Sequence, residues 1–295
     1  MYYSSIYIKV MYLFGFLLLR VFSKGDQNVP YDVHYNIIYG NQHVVSFNQG
    51  RELQISMDNS SGSGFGSKMN YGSGYFHMKI KLPNRDSAGV VVAFYLHSNT
   101  NLHDEIDFEF LGNREGQPYN LQTNVFANGE GGREQRIHLW FDPTADFHNY
   151  KILWNNHQIV FFVDKIPIRI FKNNSNIGVG YPQQPMQLLA TIWDGDDWAT
   201  NGGYTKINWS FAPFKANFKD FKIGGCPIIN SNDNHNCNSQ DYWWNKRKYW
   251  ELSFKQRRLY KEYRAKYITY DYCDDIPRYS IPPQECSINM IKKKM

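Results

Sequence analysis

Between about residues 30 and 225, apolar residues occur in short runs separated by Gly, Asn, Asp, Ser and Pro. In residues 76–82 apolar side chains alternate with His and Lys, the period-two pattern of a half-buried strand. Residues 90–96 form a continuous apolar run, which favours a strand covered on both faces, and residues 186–193 form another apolar strand candidate. The pattern of this part of the chain is therefore β.

Turn signals separate these predicted strands. Residues 151–154 and 159–163 flank the polar stretch 155–158, which predicts a hairpin with a four-residue loop. Many short strands at roughly ten-residue spacing are typical of a sandwich or jelly roll and not of alternating β and α units. We predict an all-β fold with a jelly-roll domain over residues 25–225.

The pattern changes after Cys226. Residues 228–240 are polar, and Leu259, Tyr263 and Tyr267 recur every four residues in a charged segment, which predicts an amphipathic helix. We predict that residues 226–295 form a C-terminal extension that contains this short helix and packs on the jelly-roll domain.

The N-terminus has the pattern of a secretory signal peptide. Lys9 precedes an apolar run over residues 10–19, and Arg20 and the small residue Ser23 follow it. A retained membrane anchor is the alternative, but it needs about 20 apolar residues. We predict that residues 1–24 are a signal peptide and that the mature protein is secreted, with no membrane partner after signal removal.

All cysteines lie in the last quarter of the chain, and their number, 4, is even. In a secreted protein this predicts two disulfides. Among the three connectivities, proximity favours pairing Cys226 with Cys237 and Cys273 with Cys286. A zinc site is the alternative, although the spacings are not of the Cys-x-x-Cys kind.

The composition is compatible with a sugar-binding protein. Aromatic residues make up 17% of the chain. They could stack on pyranose rings in a cleft or simply fill an aromatic-rich core. The net charge of +5 is concentrated near the C-terminus, which favours loose attraction to acidic wall polymers, while secretion argues against a nucleic-acid partner. N-glycosylation sequons begin at Asn59, Asn173 and Asn208.

The segment 103–112, HDEIDFEFLG, carries the candidate chemistry. Residues two apart on a strand point to the same face, so Glu105, Asp107 and Glu109 share one face while the apolar residues between them fill the other. Three neighbouring carboxylates repel one another, a cost that a catalytic role would explain. A retaining glycosidase needs two carboxyl groups about 5 to 5.5 Å apart, which the two Glu side chains reach only by leaning together. A solvated strand and a calcium-binding edge are the alternatives.

The same segment resembles the signature of the plant xyloglucan endotransglucosylase/hydrolases, a group of retaining glycoside hydrolases with a concave, concanavalin-like β-sandwich jelly roll. The resemblance covers nearly the whole predicted mature chain, including residues 61–89, 116–154, 163–173, 181–186, 192–203 and 212–214. The C-terminal YDYCDD of residues 270–275, Arg278 and the PQEC of residues 283–286 match the extra region of the plant xyloglucan enzymes.

The resemblance implies a nucleophile at Glu105, an acid/base at Glu109 and a helper at Asp107, with no cofactor and no metal. It implies sugar subsites that include Glu109 and the following residues: Gln122, Thr123, Asn124, Gly132, Arg133, Glu134, Trp198, Ala199, Gly203 and Arg278, the last at the acceptor end. Several of these residues have structural alternatives. Gln122 and Asn124 could be edge residues bonded to neighbouring loops, and Arg133 and Glu134 could form a surface ion pair. Trp193 and Trp198 could both be core residues, Trp193 more so than Trp198, and His103 is interpreted as a local hydrogen-bond partner.

We therefore predict a monomeric xyloglucan endotransglucosylase of the cell wall or apoplast. Its partners would be a xyloglucan donor and a xyloglucan oligosaccharide or polymer acceptor. The alternatives are a predominantly hydrolytic enzyme acting on xyloglucan or another β-glucan, a lectin-like binder that does not cut, and a structural calcium-binding wall protein.

Overall fold

The computed structural model describes residues 29–229 and 236–286. The predicted signal peptide, residues 1–24, lies outside the described residues. In the described part of the chain, no helix is both long enough and apolar enough to cross a membrane.

The described fold contains fifteen strands, the two α-helices named below, a helical segment at residues 284–286 and short 3₁₀ turns. The helices are α1 (Tyr31–His34) and α2 (Phe254–Tyr267). The strands are β1 (Tyr35–Tyr39), β2 (Val44–Phe47), β3 (Glu52–Met57), β4 (Ser63–Lys81), β5 (Val90–His97), β6 (Glu105–Leu111), β7 (Asn120–Phe126), β8 (Gln135–His138), β9 (His148–Trp154), β10 (Gln158–Val163), β11 (Ile166–Lys172), β12 (Met186–Asp194), β13 (Phe214–Lys219), β14 (Gly224–Ile228) and β15 (Ile268–Asp271).

The long strand β4 joins the two layers of the sandwich. Its first half pairs with β1 and β12, in a front sheet that continues through β5, β6, β7, β8 and β15. Its second half pairs with β9 and β13, in a back sheet that also contains β10, β11, β3 and β2. All of these pairings are antiparallel, which confirms the predicted all-β jelly roll.

Aromatic side chains fill the space between the two sheets. Phe108 of β6 meets Phe161 of β10 at 5.1 Å between ring centroids, and Phe110 meets Tyr150 of β9 at 4.6 Å, both edge to face. Ile106, Phe108 and Phe110 are fully buried, as the period-two pattern predicts. Because these residues anchor one face of β6 in the core, the other face must turn outward.

The C-terminal extension packs on the sandwich. Helix α2 begins with a capping box, in which the Ser253 side chain accepts from the backbone of Gln256 and the Gln256 side chain reaches back to Ser253. Tyr263 of this helix meets Trp140 at 4.5 Å, and β15 then adds a strand to β8. The predicted C-terminal helix is confirmed.

Both predicted disulfides are present, Cys226–Cys237 and Cys273–Cys286, so the four cysteines are not zinc ligands. The first joins β14 to the segment after the undescribed residues 230–235. The second ties the residues after β15 to the end of the described chain. Because β14 pairs with β4 and spans residue 226, the division at 225/226 falls within a strand of the sandwich and stays a proposal.

Candidate active site

Strand β6 presents its three carboxylates on the outer face of the front sheet, at the middle of the sheet. Cross-strand register on the β5 side places His97, Tyr95 and Ala93 beside Glu105, Asp107 and Glu109, respectively. On the β7 side the same three residues face Phe126, Asn124 and Gln122. The strand alternation predicted from the sequence therefore brings the three acids into one row.

An open pocket of about 240 Å³ lies over this row. It is lined by Ala93, Tyr95, His97, Glu105, Asp107, Glu109 and Trp193. A larger cavity of about 740 Å³ lies elsewhere, beside the loops at residues 113–119 and 139–144, and none of the three acids lines it. The smaller pocket is therefore the one that combines a recess with paired carboxyl groups.

Glu105 is held by two histidines. His97 Nδ1 lies 2.6 Å from Glu105 Oε2, and His103 Nε2 lies 3.7 Å from the same oxygen. His103 precedes Glu105 by two residues and can be identified from the sequence, whereas His97 reaches Glu105 only through the pairing of β5 with β6. A hydrogen bond from an imidazole N–H fixes the orientation of the Glu105 carboxylate in the pocket.

Asp107 lies between the two glutamates and is almost fully buried, with 3% of its surface exposed. Burial raises the pKa of Asp107 well above its usual value, and the neighbouring Glu105 and Glu109 charges raise it further. The buried Arg169 lowers it in part. We infer a neutral Asp107 that donates a hydrogen bond to Glu105, because a protonated carboxyl can donate and a carboxylate can only accept.

Glu109 has the electrostatics of a general acid. Burial raises its pKa from 4.5 to about 7, with smaller contributions from Glu105 and Glu134. A hydrogen bond from Gln122 Nε2 to Glu109 Oε2, 2.7 Å long, acts in the opposite direction, as does the charge of Arg136. Since a carboxyl group that titrates near neutral pH can both give and take a proton, Glu109 is suited to both steps of a glycosyl transfer.

A polar row continues from Glu109 across the sheet. Arg136 Nε donates to Gln122 Oε1 at 2.7 Å, which fixes the amide so that its NH₂ group faces Glu109. Arg136 on β8 lies opposite Tyr270 on β15, with its guanidinium 5.5 Å from the ring centroid. This polar row of Glu109, Gln122, Arg136 and Tyr270 thus runs from β6 to the edge of the front sheet.

Arg278 and Glu134 lie at the end of this row. Arg278 Nη1 donates to Glu134 Oε2 at 2.7 Å and lies 3.5 Å from the Tyr270 hydroxyl. Gly132 lies beside them: its φ is +78°, its carbonyl accepts from the Tyr279 hydroxyl at 2.7 Å, and an added Cβ would lie 2.5 Å from that hydroxyl. The structure therefore brings Gly132, Glu134 and Arg278 together, as part of the contact with the extension.

The opposite side of the pocket carries two tryptophans. Trp193 on β12 lines the pocket and meets Trp198 at 6.0 Å between ring centroids. The interpretation of Trp193 as a core residue is wrong, because its position opposite Val91 puts it on the outer face of the front sheet. Ala199 packs beneath both tryptophans, and the left-handed Gly203, φ +85°, lies against the Asp197 backbone in the same loop.

Three predicted subsite residues use their side chains in hydrogen bonds or ion pairs within the protein. Thr123 lies opposite the core residue Phe108, and its hydroxyl accepts from Arg169 at 3.0 Å. Asn124 is buried beside Asp107 and accepts from the Arg133 backbone N–H. Arg133 pairs with Glu285 of the extension at 2.9 Å. These residues support the walls of the site through hydrogen bonds within the protein.

The three sequon asparagines lie outside the pocket. Asn59 and Asn208 are exposed, and Asn208 Oδ1 accepts from the backbone and hydroxyl of Ser210. Asn173 is partly buried, and its Nδ2 donates to the Asn156 carbonyl at 2.9 Å.

Known protein families and individual proteins match this chain over most of its length. The family model described as "Glycosyl hydrolases family 16" matches residues 31–211, and the model described as "Xyloglucan endo-transglycosylase (XET) C-terminus" matches residues 238–286. The chain is 55% identical over 281 residues to "Xyloglucan endotransglucosylase/hydrolase protein 2" of Arabidopsis thaliana, covering 95% of this chain and 96% of that protein. It is 49% identical over 262 residues to "Probable xyloglucan endotransglucosylase/hydrolase 1" of Solanum lycopersicum, covering 88% of each.

Solved structures share the fold at lower identity. The Bacillus licheniformis β-glucanase superposes with a TM-score of 0.53 at 22% identity, over 65% of this chain and 92% of that chain. The structure titled "Apo Crh5 transglycosylase" superposes with a TM-score of 0.53 at 24% identity, over 66% of this chain and 80% of that chain.

Proposed function

Since the chain belongs to glycosyl hydrolase family 16, and within it to the xyloglucan endotransglucosylase/hydrolases, we propose that it cuts and religates the β-1,4-glucan backbone of xyloglucan. The cut passes through a covalent glycosyl-enzyme, and the religation uses a xyloglucan acceptor. Transfer to water in place of the acceptor would make the same site a hydrolase.

The three carboxyl groups have different roles in this reaction. A Glu105 oxygen attacks the anomeric carbon, the C–O bond to the departing chain breaks, and the Glu109 proton goes to the departing 4-oxygen. The Glu109 carboxylate then takes the proton of an acceptor 4-hydroxyl, whose oxygen attacks the same carbon and releases Glu105. One glucosidic bond is broken and one is made. Asp107 donates a hydrogen bond to Glu105 and so orients it.

A single observation supports these roles best: the two glutamates line one pocket, but their surroundings differ. Both glutamates are half-buried, but desolvation raises the pKa of Glu109 to about 7 even though Gln122 donates to it, whereas Glu105 lies beside His97 and His103. Two carboxyl groups with opposite tasks need such different environments.

We place the acceptor subsites along the row from Gln122 through Arg136 and Tyr270 to Glu134 and Arg278. Because Glu109 protonates the departing chain, the groups linked to Glu109 lie on the side where that chain leaves and the acceptor enters. Trp193, Trp198, Ala199 and Gly203 then line the donor side, where the tryptophan rings can stack on sugar faces.

The remaining assignments are also proposals. The mature protein is a secreted monomer of the cell wall or apoplast, and its two disulfides suit an oxidising compartment. Residues 25–225 form the catalytic domain and residues 226–295 the extension. Asn59 and Asn208, as exposed sequons, are better glycan acceptors than Asn173.

Label transfer tests the proposed function directly. The protein is incubated with polymeric xyloglucan and a fluorescent xyloglucan oligosaccharide, and the products are separated by size. We expect label in high-mass polymer, and no incorporation when the labelled acceptor is a cello-oligosaccharide. Shortened polymer without incorporated label would indicate a hydrolase. Retention on xyloglucan with neither product would indicate a binding protein.

A further inference from the structure

One group of three potential metal ligands lies close together in residues 29–229 and 236–286: His97, His103 and Glu105. His97 ends β5, Glu105 begins β6, and His103 lies in the loop between these strands. One donor atom from each residue lies within 4.8 Å of the other two. The hairpin between β5 and β6 thus gathers two imidazoles around the proposed nucleophile.

The three side chains can be reached from solvent. The exposed fractions are 32% for His97, 28% for His103 and 21% for Glu105. The imidazole rings lie 5.0 Å apart between centroids, and the His103 ring also packs on Phe126 at 5.1 Å. Packing on Phe126 therefore holds His103 near Glu105, while His97 and Glu105 line the open pocket.

The distances suit a small ion with few ligands. Around a tetrahedral Zn²⁺, ligand atoms at about 2.0–2.1 Å from the metal lie about 3.3 Å from one another. Glu105 Oε2 lies 3.7 Å from His103 Nε2 and 2.6 Å from His97 Nδ1. Shifts of less than 1 Å, within the reach of side-chain rotation, would bring both pairs to that spacing. Imidazole with carboxylate suits Zn²⁺ or Cu²⁺, whereas Ca²⁺ prefers oxygen ligands alone.

We propose that His97, His103 and Glu105 form a Zn²⁺-binding site, and that the bound ion blocks the nucleophile Glu105. The ion takes a lone pair from Glu105 Oε2 and one from His97 Nδ1, whose proton moves to Nε2 of the same ring, so that the ion replaces the hydrogen bond between the two residues. Its fourth position stays open toward the pocket. The ion and the xyloglucan donor exclude each other, because both need the Glu105 carboxylate. Binding of the ion does not depend on whether the protein is an enzyme. Only the blocking of the nucleophile rests on the function proposed above.

Metal titration of the mature, full-length protein without a polyhistidine tag tests the site. Calorimetry with ZnCl₂ should give one ion bound per chain. His97→Asn and His103→Asn should each weaken binding by at least about tenfold, since even residues that only support a ligand are worth that much. The matched control is His157→Asn, which changes a histidine stacked on Trp250 at the β9–β10 turn and should leave the affinity unchanged. If His97→Asn and His103→Asn both bind Zn²⁺ with the wild-type affinity, the proposal is overturned.

Cu²⁺ serves as a spectroscopic probe of the same ligands and does not depend on the variants folding. The electron paramagnetic resonance spectrum of the wild-type protein with one equivalent of Cu²⁺ should show two coupled nitrogens. The spectra of His97→Asn and His103→Asn, where these variants fold, should each show one coupled nitrogen. A wild-type spectrum with no coupled nitrogen would overturn the site.

Kinetics then separate the site from the function. Zn²⁺ should raise the apparent KM for xyloglucan and leave kcat unchanged, and a chelator should restore the original KM. If Zn²⁺ binds through the two histidines but transfer proceeds unchanged, the blocking of Glu105 is wrong. If no transfer occurs even with chelator, the proposed function fails while the metal site stands.

Discussion

Gln122 and Glu109 face each other across the β6–β7 pair, and Gln122 Nε2 donates a 2.7 Å hydrogen bond to Glu109 Oε2. Arg136 holds the other end of the same amide. The amide therefore opposes the burial that raises the pKa of Glu109 to about 7. The Gln122 hydrogen bond therefore keeps the pKa of Glu109 below the value that burial alone would give.

Replacing Gln122 by Leu should move the pH profile to higher values. Glu109 must be protonated in the bond-breaking step, so kcat/KM falls as pH rises through its pKa. Because Gln122 lowers the pKa of Glu109, its removal raises that pKa and shifts the falling limb upward. The measurement is kcat/KM for the donor as a function of pH. Asn120→Leu, on the same face of β7, is the control and should leave the pH at which kcat/KM falls unchanged. The same unchanged value in Gln122→Leu would contradict the prediction.

Glu109→Gln should stabilise the protein at pH 8. A folded-state pKa raised from 4.5 to about 7 means that Glu109 favours folding below pH 4.5 and loses this contribution as pH rises through about 7. The difference between these two pKa values corresponds to about 3 kcal/mol. Urea unfolding should show a gain of up to that size at pH 8 and little change at pH 4. The exposed Glu115→Gln serves as control. An equal effect at both pH values would argue against a Glu109 whose pKa is raised in the folded protein.

A donor with a good leaving group should distinguish nucleophile from acid. Glu105→Ala should release no fluoride from a xyloglucan-oligosaccharide β-fluoride and transfer no polymer. Glu109→Ala should still release fluoride, because that departure needs no proton, while its rate on polymeric xyloglucan drops by about 10² to 10⁴. Rapid fluoride release by Glu105→Ala, with none by Glu109→Ala, would reverse the two roles.

Arg278→Met should weaken use of the acceptor more than use of the donor. The loss of a hydrogen bond to a charged group, about 1.5–3 kcal/mol, predicts an acceptor KM raised by about tenfold or more. Fluoride release from the xyloglucan-oligosaccharide β-fluoride, a donor with no departing chain in these subsites, should be unchanged. The control is Arg257→Met, which removes an exposed arginine of helix α2 that pairs with Glu251 and should leave the acceptor KM unchanged. A parallel loss of both activities in Arg278→Met would count against an acceptor role.

Arg169→Met should destabilise the fold. The buried guanidinium donates to the Thr123 and Arg133 carbonyls, at 2.6 Å each, and so ties β11 to β7 and the segment before β8. Without it two buried acceptors lose their donor, at about 1–3 kcal/mol each. The free energy of unfolding in urea should fall by about 3 kcal/mol, whereas the exposed Lys215→Met on β13 should change it little. An unchanged value would show that Met packing compensates for the lost hydrogen bonds.

The strand alternation that aligns Glu105, Asp107 and Glu109 follows from the sequence alone. The period of two is a property of the extended backbone, so it holds wherever the strand lies in the fold. The helix near Tyr263 and the pairing of neighbouring cysteines could be predicted for a similar reason, since both depend on residues close together in the chain. The resemblance supplied the roles of the glutamates.

Cross-strand register was decided by the tertiary structure. His97 beside Glu105, Trp193 in the pocket and Thr123 against Arg169 all depend on which residue of one strand lies opposite which residue of another. A shift of one residue would turn each of these side chains to the other face of the sheet. The register is fixed by packing between two sheets whose strands come from distant parts of the chain, and no local pattern carries that information.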